Sequence, residues 1–221
     1  MEGHENEVKC VAWNSTGNMI ATCSRDKSIW IWSVEENGDF DCISVLHGHS
    51  QDVKSVAWKP GEDVLFSCGY DDTIKIWKED MDDWYCCDTL VGHVSTVWEL
   101  SFDKSGQKFV SCSDDKNLFL WKEYSTKEGP KWMNICSDTT QHNRTIYSVD
   151  WSPHEDGLIA TASGDDNVRL FQNQGDNLNF LCSLKDHKSD VNCVKWNPKV
   201  PNLLASCSDD KKIIIYQVKK N

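Results

Sequence analysis

The sequence predicts an all-β fold assembled from five copies of one short-stranded unit, and three observations carry that prediction. First, "CSRDKSIWIW" at 23–32 recurs as "CGYDDTIKIW" (68–77), "CSDDKNLFLW" (112–121), "ASGDDNVRLF" (162–171) and "CSDDKKIIIY" (207–216). Second, the copies share fixed chemistry. Asp26, Asp71, Asp115, Asp165 and Asp210 each stand six residues before the closing aromatic, and Thr22, Ser67, Ser111, Thr161 and Ser206 stand four before each Asp. His4, His49, His93, His142 and His187 lie 22 or 23 residues upstream of those aspartates, at successive spacings of 45, 44, 49 and 45. Third, no stretch alternates helical with strand periodicity, which argues against an α/β fold.

Within a unit the segments read in order as strands. "VKCVAW" (8–13), "MIATCS" (19–24) and "SIWIW" (28–32) are rich in β-branched and aromatic residues and are bounded by the turn-forming "NSTGN" and "RDK". A fourth apolar segment precedes each later histidine: "FDCISVL" (40–46), "WYCCDTL" (84–90), "KWMNIC" (131–136) and "FLCSL" (180–184). Four short strands per ~45 residues is the period of a propeller blade. With "GH" at 48–49 and 92–93 and the Asp and Trp positions that follow, the chain resembles the WD40 family from end to end. The repeats span about 4–32, 40–77, 84–121, 131–171 and 180–216 of one propeller domain over 1–221. The resemblance implies seven blades, whereas five four-stranded blades are present. Only three residues precede His4, so the first blade is expected to lack its outer strand. The chain is therefore expected to be an incomplete part of a seven-bladed propeller with about two repeats missing upstream; a closed five-bladed ring is the alternative. Unpaired edges and bare apolar faces at the two ends would invite association.

The recurring polar set has a structural use. An indole N–H only donates, a hydroxyl donates and accepts, a neutral imidazole does one of each, and a carboxylate accepts. By position the resemblance implies tetrads His4–Thr22–Asp26–Trp32, His49–Ser67–Asp71–Trp77 and His93–Ser111–Asp115–Trp121, each tying a loop to a turn with its buried polar groups satisfied. Phe171 and Tyr216 replace the tryptophan in the last two units, which are expected to rely more on packing than on this network. Ser, His and Asp together invite comparison with a hydrolase triad, but a catalytic set occurs once, and here it repeats without a G-x-S-x-G elbow. The sequence is therefore read as non-enzymatic.

Bulk properties narrow the partners. The net charge of −12, from 35 acidic and 23 basic residues, disfavours nucleic acid as the main partner. The start "MEGHENEV" has no basic and apolar leader pattern, and the longest apolar runs fall far short of a membrane span. Eleven cysteines, an odd number, disfavour a disulfide framework and suit a reducing compartment. Cys23, Cys68, Cys112 and Cys207 share one repeat position that Ala162 fills in the fourth unit, which fits a small buried residue better than a metal ligand. No metal site and no cofactor are expected.

Three positions per unit are placed on the rim of a propeller face. One precedes the turn aspartate: Arg25, Tyr70, Asp114, Gly164 and Asp209. Another lies five after the histidine: Lys9, Lys54, Trp98, Tyr147 and Asn192. The third lies two before that: Glu7, Asp52, Thr96, Thr145 and Asp190. Arg25, Tyr70, Trp98 and Tyr147, flanked by Lys9 and Lys54, are expected to bind a partner, because Arg and aromatics dominate interface hot spots. Arg144 extends the positive spot beside Tyr147.

A narrower resemblance rests on "GHENEVKCVAW", "ATCSRDKSIWIW", "HSQDVKSVAW", "YDDTIKIWKED", "DDWYCC", "GHVSTVW", "RTIYSVDW" and "DVNCVKWNPK". These stretches are similar to the WD40 components of cytosolic iron–sulfur protein assembly. That resemblance implies an adaptor in a targeting complex, partnered by a small subunit and a HEAT-repeat scaffold, bringing clusters to cytosolic and nuclear apoproteins. It carries the partner-binding role onto Arg25, and it implies a cytoplasmic and also nuclear location. A ubiquitin-ligase substrate receptor or a chromatin scaffold is the competing reading, since fold alone does not fix function.

Overall fold

The computed structural model describes residues 2–35, 38–81, 83–127, 129–154 and 157–219. Among them every regular element is a strand, nineteen in all. The chain divides into two compact units, Met1–Trp98 and Glu99–Asn221, with the boundary inside one strand.

The first unit holds two four-stranded antiparallel sheets. One is β1 (Val8–Trp13), β2 (Met19–Ser24), β3 (Ser28–Val34) and β4 (Phe40–His47); the other is β5 (Val53–Trp58), β6 (Val64–Gly69), β7 (Ile74–Asp80) and β8 (Asp83–Leu90). Strands follow one another in chain order, each paired with the next by a hairpin. Both β2 and β6 are buried throughout, which is why "MIATCS" and "VLFSCG" are continuous runs of apolar and small residues. Ala21, Cys23, Ile29 and Ile31 of the first sheet pack against Val53, Val56 and Trp58 of the second.

In the second unit the third sheet comprises β9 (Val97–Phe102, which contains the boundary), β10 (Lys108–Ser113), β11 (Leu118–Thr126) and β12 (Gly129–Asp138). The fourth is β13 (Ile146–Trp151), β14 (Leu158–Ser163), β15 (Val168–Gln174) and β16 (Asn177–Leu184). The fifth has three strands, β17 (Val191–Trp196), β18 (Leu203–Ser208) and β19 (Ile213–Gln217). Leu158, Ala160, Ala162, Val168 and Leu170 pack against Val191, Val194 and Trp196.

This pairing corrects one expectation. The first sheet has its outer strand; the fifth is the one with three among the described residues. The segment before His49 folds back onto β3, with Val34 opposite Phe40 and Ser28 opposite His47, because a short hairpin closes at the smallest entropic cost. Each sequence repeat therefore begins one strand out of phase with the sheet it feeds.

The turn between second and third strands is built the same way five times. Lys27, Asp72, Lys116, Asp166 and Lys211, each following the turn aspartate, have φ of 71°, 63°, 72°, 67° and 69°. The N–H of each donates to the carbonyl three residues back, and the preceding carboxylate caps the turn, as when Ser28 N donates to Asp26 Oδ1 at 2.9 Å. The left-handed residue gives the hairpin its twist, and the aspartate offsets the strain by taking up turn amides.

Candidate partner-binding surface

The relays set the turn positions. In the first sheet Trp32 Nε1 donates to Thr22 Oγ1 at 3.1 Å, His4 Nε2 lies 2.9 Å from that oxygen, and His4 Nδ1 lies 2.9 Å from Asp26 Oδ2. In the second sheet Trp77 Nε1 donates to Ser67 Oγ at 2.8 Å, His49 Nε2 is 2.7 Å from it, and His49 Nδ1 is 2.8 Å from Asp71 Oδ2. Proton directions follow from the inventory of donors. The carboxylate can only accept, so Nδ1 carries the proton; Nε2 then accepts, and the hydroxyl that takes the indole proton donates its own to the ring. The aspartates also take loop amides, Glu5 N to Asp26 at 2.9 Å and Ser50 N to Asp71 at 3.0 Å. Burial alone would raise these carboxyls, but hydrogen bonds from Ser28 and His4 hold Asp26 down to about 2, and those from His49 and Thr73 hold Asp71 well below the usual range. In the third sheet Trp121 Nε1 donates to Ser111 Oγ at 2.9 Å.

The last two sheets also carry hydrogen bonds, not packing alone. In the fifth, His187 bridges Ser206 (2.7 Å) and Asp210 (3.0 Å), while the hydroxyl of Tyr216 makes no hydrogen bond among the described residues. The fourth is rewired around Arg169, a residue the sequence reading did not single out. Arg169 Nη1 donates to Asp165 Oδ1 and Oδ2 at 2.8 and 2.7 Å and also reaches His142 Nδ1 at 2.8 Å. A guanidinium cannot accept, so His142 Nδ1 must be bare, and the ring proton sits on Nε2, which donates to Thr161 Oγ1 at 2.8 Å. Phe171 contributes no N–H to Thr161, whose own proton points to the Arg169 carbonyl at 3.5 Å. Burial and the Arg169 charge keep His142 neutral by lowering its pKa, against the pull of Asp165.

Above this frame sit the rim positions. The strand register skips one residue between Val8 and Cys10, Val53 and Ser55, Ile146 and Ser148, and Val191 and Cys193. The skipped residues are Lys9, Lys54, Tyr147 and Asn192: each occupies a bulge, which turns its side chain away from the ladder. A repeated backbone bond fixes the facing turn, Arg25 N to Glu7 O at 3.0 Å, Tyr70 N to Asp52 O at 2.9 Å, Gly164 N to Thr145 O at 2.9 Å and Asp209 N to Asp190 O at 3.0 Å.

The first unit gathers Lys54, Tyr70 and Trp98. The Lys54 ammonium lies 3.9 Å from the Tyr70 ring centre and 5.2 Å from that of Trp98, and the two rings meet edge-on at 5.9 Å. Lys54 is largely covered and also lies 3.9 Å from Asp52, so it braces the aromatics, while Tyr70 is exposed. Arg25 stands apart, paired with Glu7 at 3.3 Å with both side chains more than half exposed. Such an exposed pair is screened by solvent and yields readily to a better carboxylate. Lys9 is exposed.

In the second unit Asp190 gathers the rim. Tyr147 Oη donates to it at 3.2 Å and Arg144 Nη1 at 3.0 Å, with Arg144 more than half exposed. Gly164, at the position held by Arg25 in the first sheet, makes room: a Cβ there would lie 3.2 Å from the Tyr147 ring and 3.3 Å from Asp190. Burial, and then the Asp190 charge, push the Tyr147 phenol up, keeping it a donor.

Sequence reading also missed a charged knot. Lys195 Nζ donates to Glu99 Oε1 at 2.7 Å and Asp150 Oδ1 at 3.3 Å; Glu99 accepts from Ser148 Oγ at 2.6 Å, and Asp150 accepts from Trp196 N at 2.7 Å. Lys195 and Asp150 hold the same repeat position 45 residues apart, the only signal that pointed to their meeting. Cys23, Cys68 and Cys112 are fully buried, with burial pushing the thiols of Cys23 and Cys112 far up.

Comparison with known proteins accords with this geometry. The family model described as "WD domain, G-beta repeat" matches residues 1–33, 40–78, 84–122, 134–172 and 178–217. The chain is 42% identical over 193 residues, 85% of its length and 55% of the relative's, to the Probable cytosolic iron-sulfur protein assembly protein 1 of Vanderwaltozyma polyspora. It is 69% identical over 86 residues, 38% of the chain and 20% of the relative, to the protein of the same name from Aspergillus flavus. A Probable cytosolic Fe-S cluster assembly factor of Schizosaccharomyces japonicus is 69% identical over 36 residues, 16% of the chain and 6% of the relative. The chain thus spans about half the length of the Vanderwaltozyma relative. Five matched repeats over most of the chain place it in the WD40 repeat family.

Proposed function

We propose that this chain is a non-enzymatic adaptor in the assembly of cytosolic iron–sulfur proteins, holding partner subunits and apoprotein clients through its rim. The observation that carries the reading is the 42% identity, sustained over 85% of the chain, to a relative named for that process. The rim chemistry supports it. Arg25 offers a guanidinium held by a surface pair, and Tyr70 on its turn and Tyr147 on its bulge offer aromatic faces, with Trp98 packed edge-on against Tyr70. The partners in this reading are a small subunit, a HEAT-repeat scaffold and cytosolic and nuclear apoprotein clients with acidic contact groups.

The test is capture of partners from cytosol by the tagged chain and by its Arg25→Glu variant. The expected outcome is retention of iron–sulfur assembly subunits, weakened about thirtyfold by the charge reversal, the effect of a hot spot near 2 kcal/mol, with the thermal melt unchanged. Capture of ubiquitin-ligase or histone partners instead, or equal capture by both proteins, overturns the reading.

A further inference from the structure

We propose that Cys10 and Cys23 are a redox-sensitive pair that closes a reversible disulfide across β1 and β2 when the chain meets hydrogen peroxide. The antiparallel register sets Cys10 directly opposite Cys23, one step inside the Lys9 bulge. Residues opposed in this way point to the same face, and their Cα atoms lie about 4.5–5.5 Å apart, within the span of about 4.4–6.8 Å that a disulfide bridges. Here that face is the one turned to the second sheet. Cys23 belongs to the core that the two sheets share, and Cys10 packs against it. Cys10 Sγ donates to the Val56 carbonyl at 3.7 Å and accepts from Ser55 Oγ at 3.9 Å. The two thiols also share a hydrogen bond with each other. The same place in other sheets shows that packing does not require two cysteines there: Ser55 opposes Cys68 in the second sheet, and Ser148 opposes Ala162 in the fourth.

The two sulfurs divide the work. Cys10 is partly exposed whereas Cys23 is fully buried. Burial, and then the hydrogen bond with Cys10, push the Cys23 thiol far up. Oxidation therefore starts at Cys10, since the thiolate is the nucleophile and this is the thiol of the pair that meets the oxidant. The Cys10 sulfur attacks one peroxide oxygen, the O–O bond breaks, and the hydroxide that leaves takes up the Cys10 proton as water; a sulfenic acid remains. The Cys23 sulfur then attacks Cys10 Sγ. An S–S bond forms, the S–O bond breaks, and the departing hydroxide carries off the Cys23 proton as a second water. Two electrons pass from the thiols to the peroxide, and a small dithiol returns them by exchange. The bridge ties β1 to β2 two residues from Arg25, whose N–H bonds the Glu7 carbonyl at 3.0 Å across the same hairpin.

The experiment treats the dilute, folded full chain with hydrogen peroxide, blocks the remaining thiols with iodoacetamide and maps the peptides by mass spectrometry without reduction. The expected product joins the Cys10 and Cys23 peptides of one chain, is lighter than their sum by two hydrogen atoms, and disappears on treatment with dithiothreitol. Cys23→Ala, which places there the residue that the fourth sheet carries, removes the resolving thiol. Cys10 should then accumulate as a sulfenic acid, labelled by dimedone about tenfold more than in the wild type, with circular dichroism checking that the variant folds. Peroxide that leaves the Cys10 and Cys23 peptides unlinked overturns the proposal. So does a bridge that forms only in urea, or only between Cys193 and Cys207, the opposed pair of the fifth sheet. Equal dimedone labelling of Cys10 in wild type and variant also overturns it, since Cys23 then resolves nothing.

Discussion

The first and fourth sheets solve one problem with opposite wiring. Each must satisfy a buried histidine, hydroxyl and aspartate at the same three places. In the first, Trp32 begins the relay, and protons pass from indole to Thr22, from Thr22 to His4 and from His4 to Asp26. In the fourth, Phe171 removes the indole donor and Arg169 supplies a cation at the other end, so His142 is protonated on Nε2 and donates back toward Thr161. Position Arg169 is Trp30 in the first sheet, where the indole donates to Ser28 Oγ at 3.0 Å and its ring lies 5.3 Å from His4. The lesson is that the repeat preserves satisfaction of polar groups and not the direction of the bonds. Two substitutions, at the ends of the relay, compensate one another.

Breaking the ion pair should have the largest effect. Arg169→Met strands the Asp165 carboxylate, whose side chain is 3% exposed, and is expected to cost about 3–5 kcal/mol in urea unfolding. Adding Asp165→Asn should restore part of that loss, whereas Trp30→Met in the first sheet, which strands no charge, should cost clearly less. Next, Phe171→Trp forces a larger ring into a fully buried place. Destabilisation by about 1–3 kcal/mol is expected in urea unfolding. The converse change, Trp77→Phe, removes one buried donor from Ser67 and should cost about 1 kcal/mol.

Acid separates the sheets more gently. The His142 pKa is lowered from 6.5, so the stability carried by its neutral ring is present above that value and is lost as pH falls below it, because the unfolded chain takes the proton first. Asp26, held down to about 2, contributes stability that is present above its ordinary 3.8 and is lost as pH falls from there through 2. Thermal melts of the wild type and a His142→Asn variant should therefore differ in slope between pH 7 and 5. The smallest effect is spectroscopic and leaves stability untouched. Nitrogen-15 shifts of the imidazoles should report Nδ1–H for His4 and His49 and Nε2–H for His142; a common tautomer would erase the contrast.

Much of this was legible in the linear chain, for a physical reason. A relay needs fixed residue types at fixed offsets, so histidine, hydroxyl and aspartate return with the period of the fold, and strands show as short β-branched runs between turn residues. Arg169 was not legible because its position carries Trp30, Lys75, Phe119 and Ile214 elsewhere, with no shared chemistry to mark it. The outer strand of the first sheet was misplaced because an apolar run pairs equally well, on pattern alone, with what precedes or follows it. Tyr70 and Trp98 stood out as large residues at unconstrained positions, yet the bracing of their rings by Lys54 depends on a distance that no spacing encodes.

By itself, then, the sequence determined the repeat, the strands, the turn aspartates and the residue types of each relay, since these rest on local geometry and on what each side chain can donate or accept. The tertiary structure alone decided which strand completes which sheet and which way the hydrogen bonds run in the fourth relay. Those outcomes depend on neighbours far apart in the chain, where a burial or a bond is settled by packing and not by the residue that makes it.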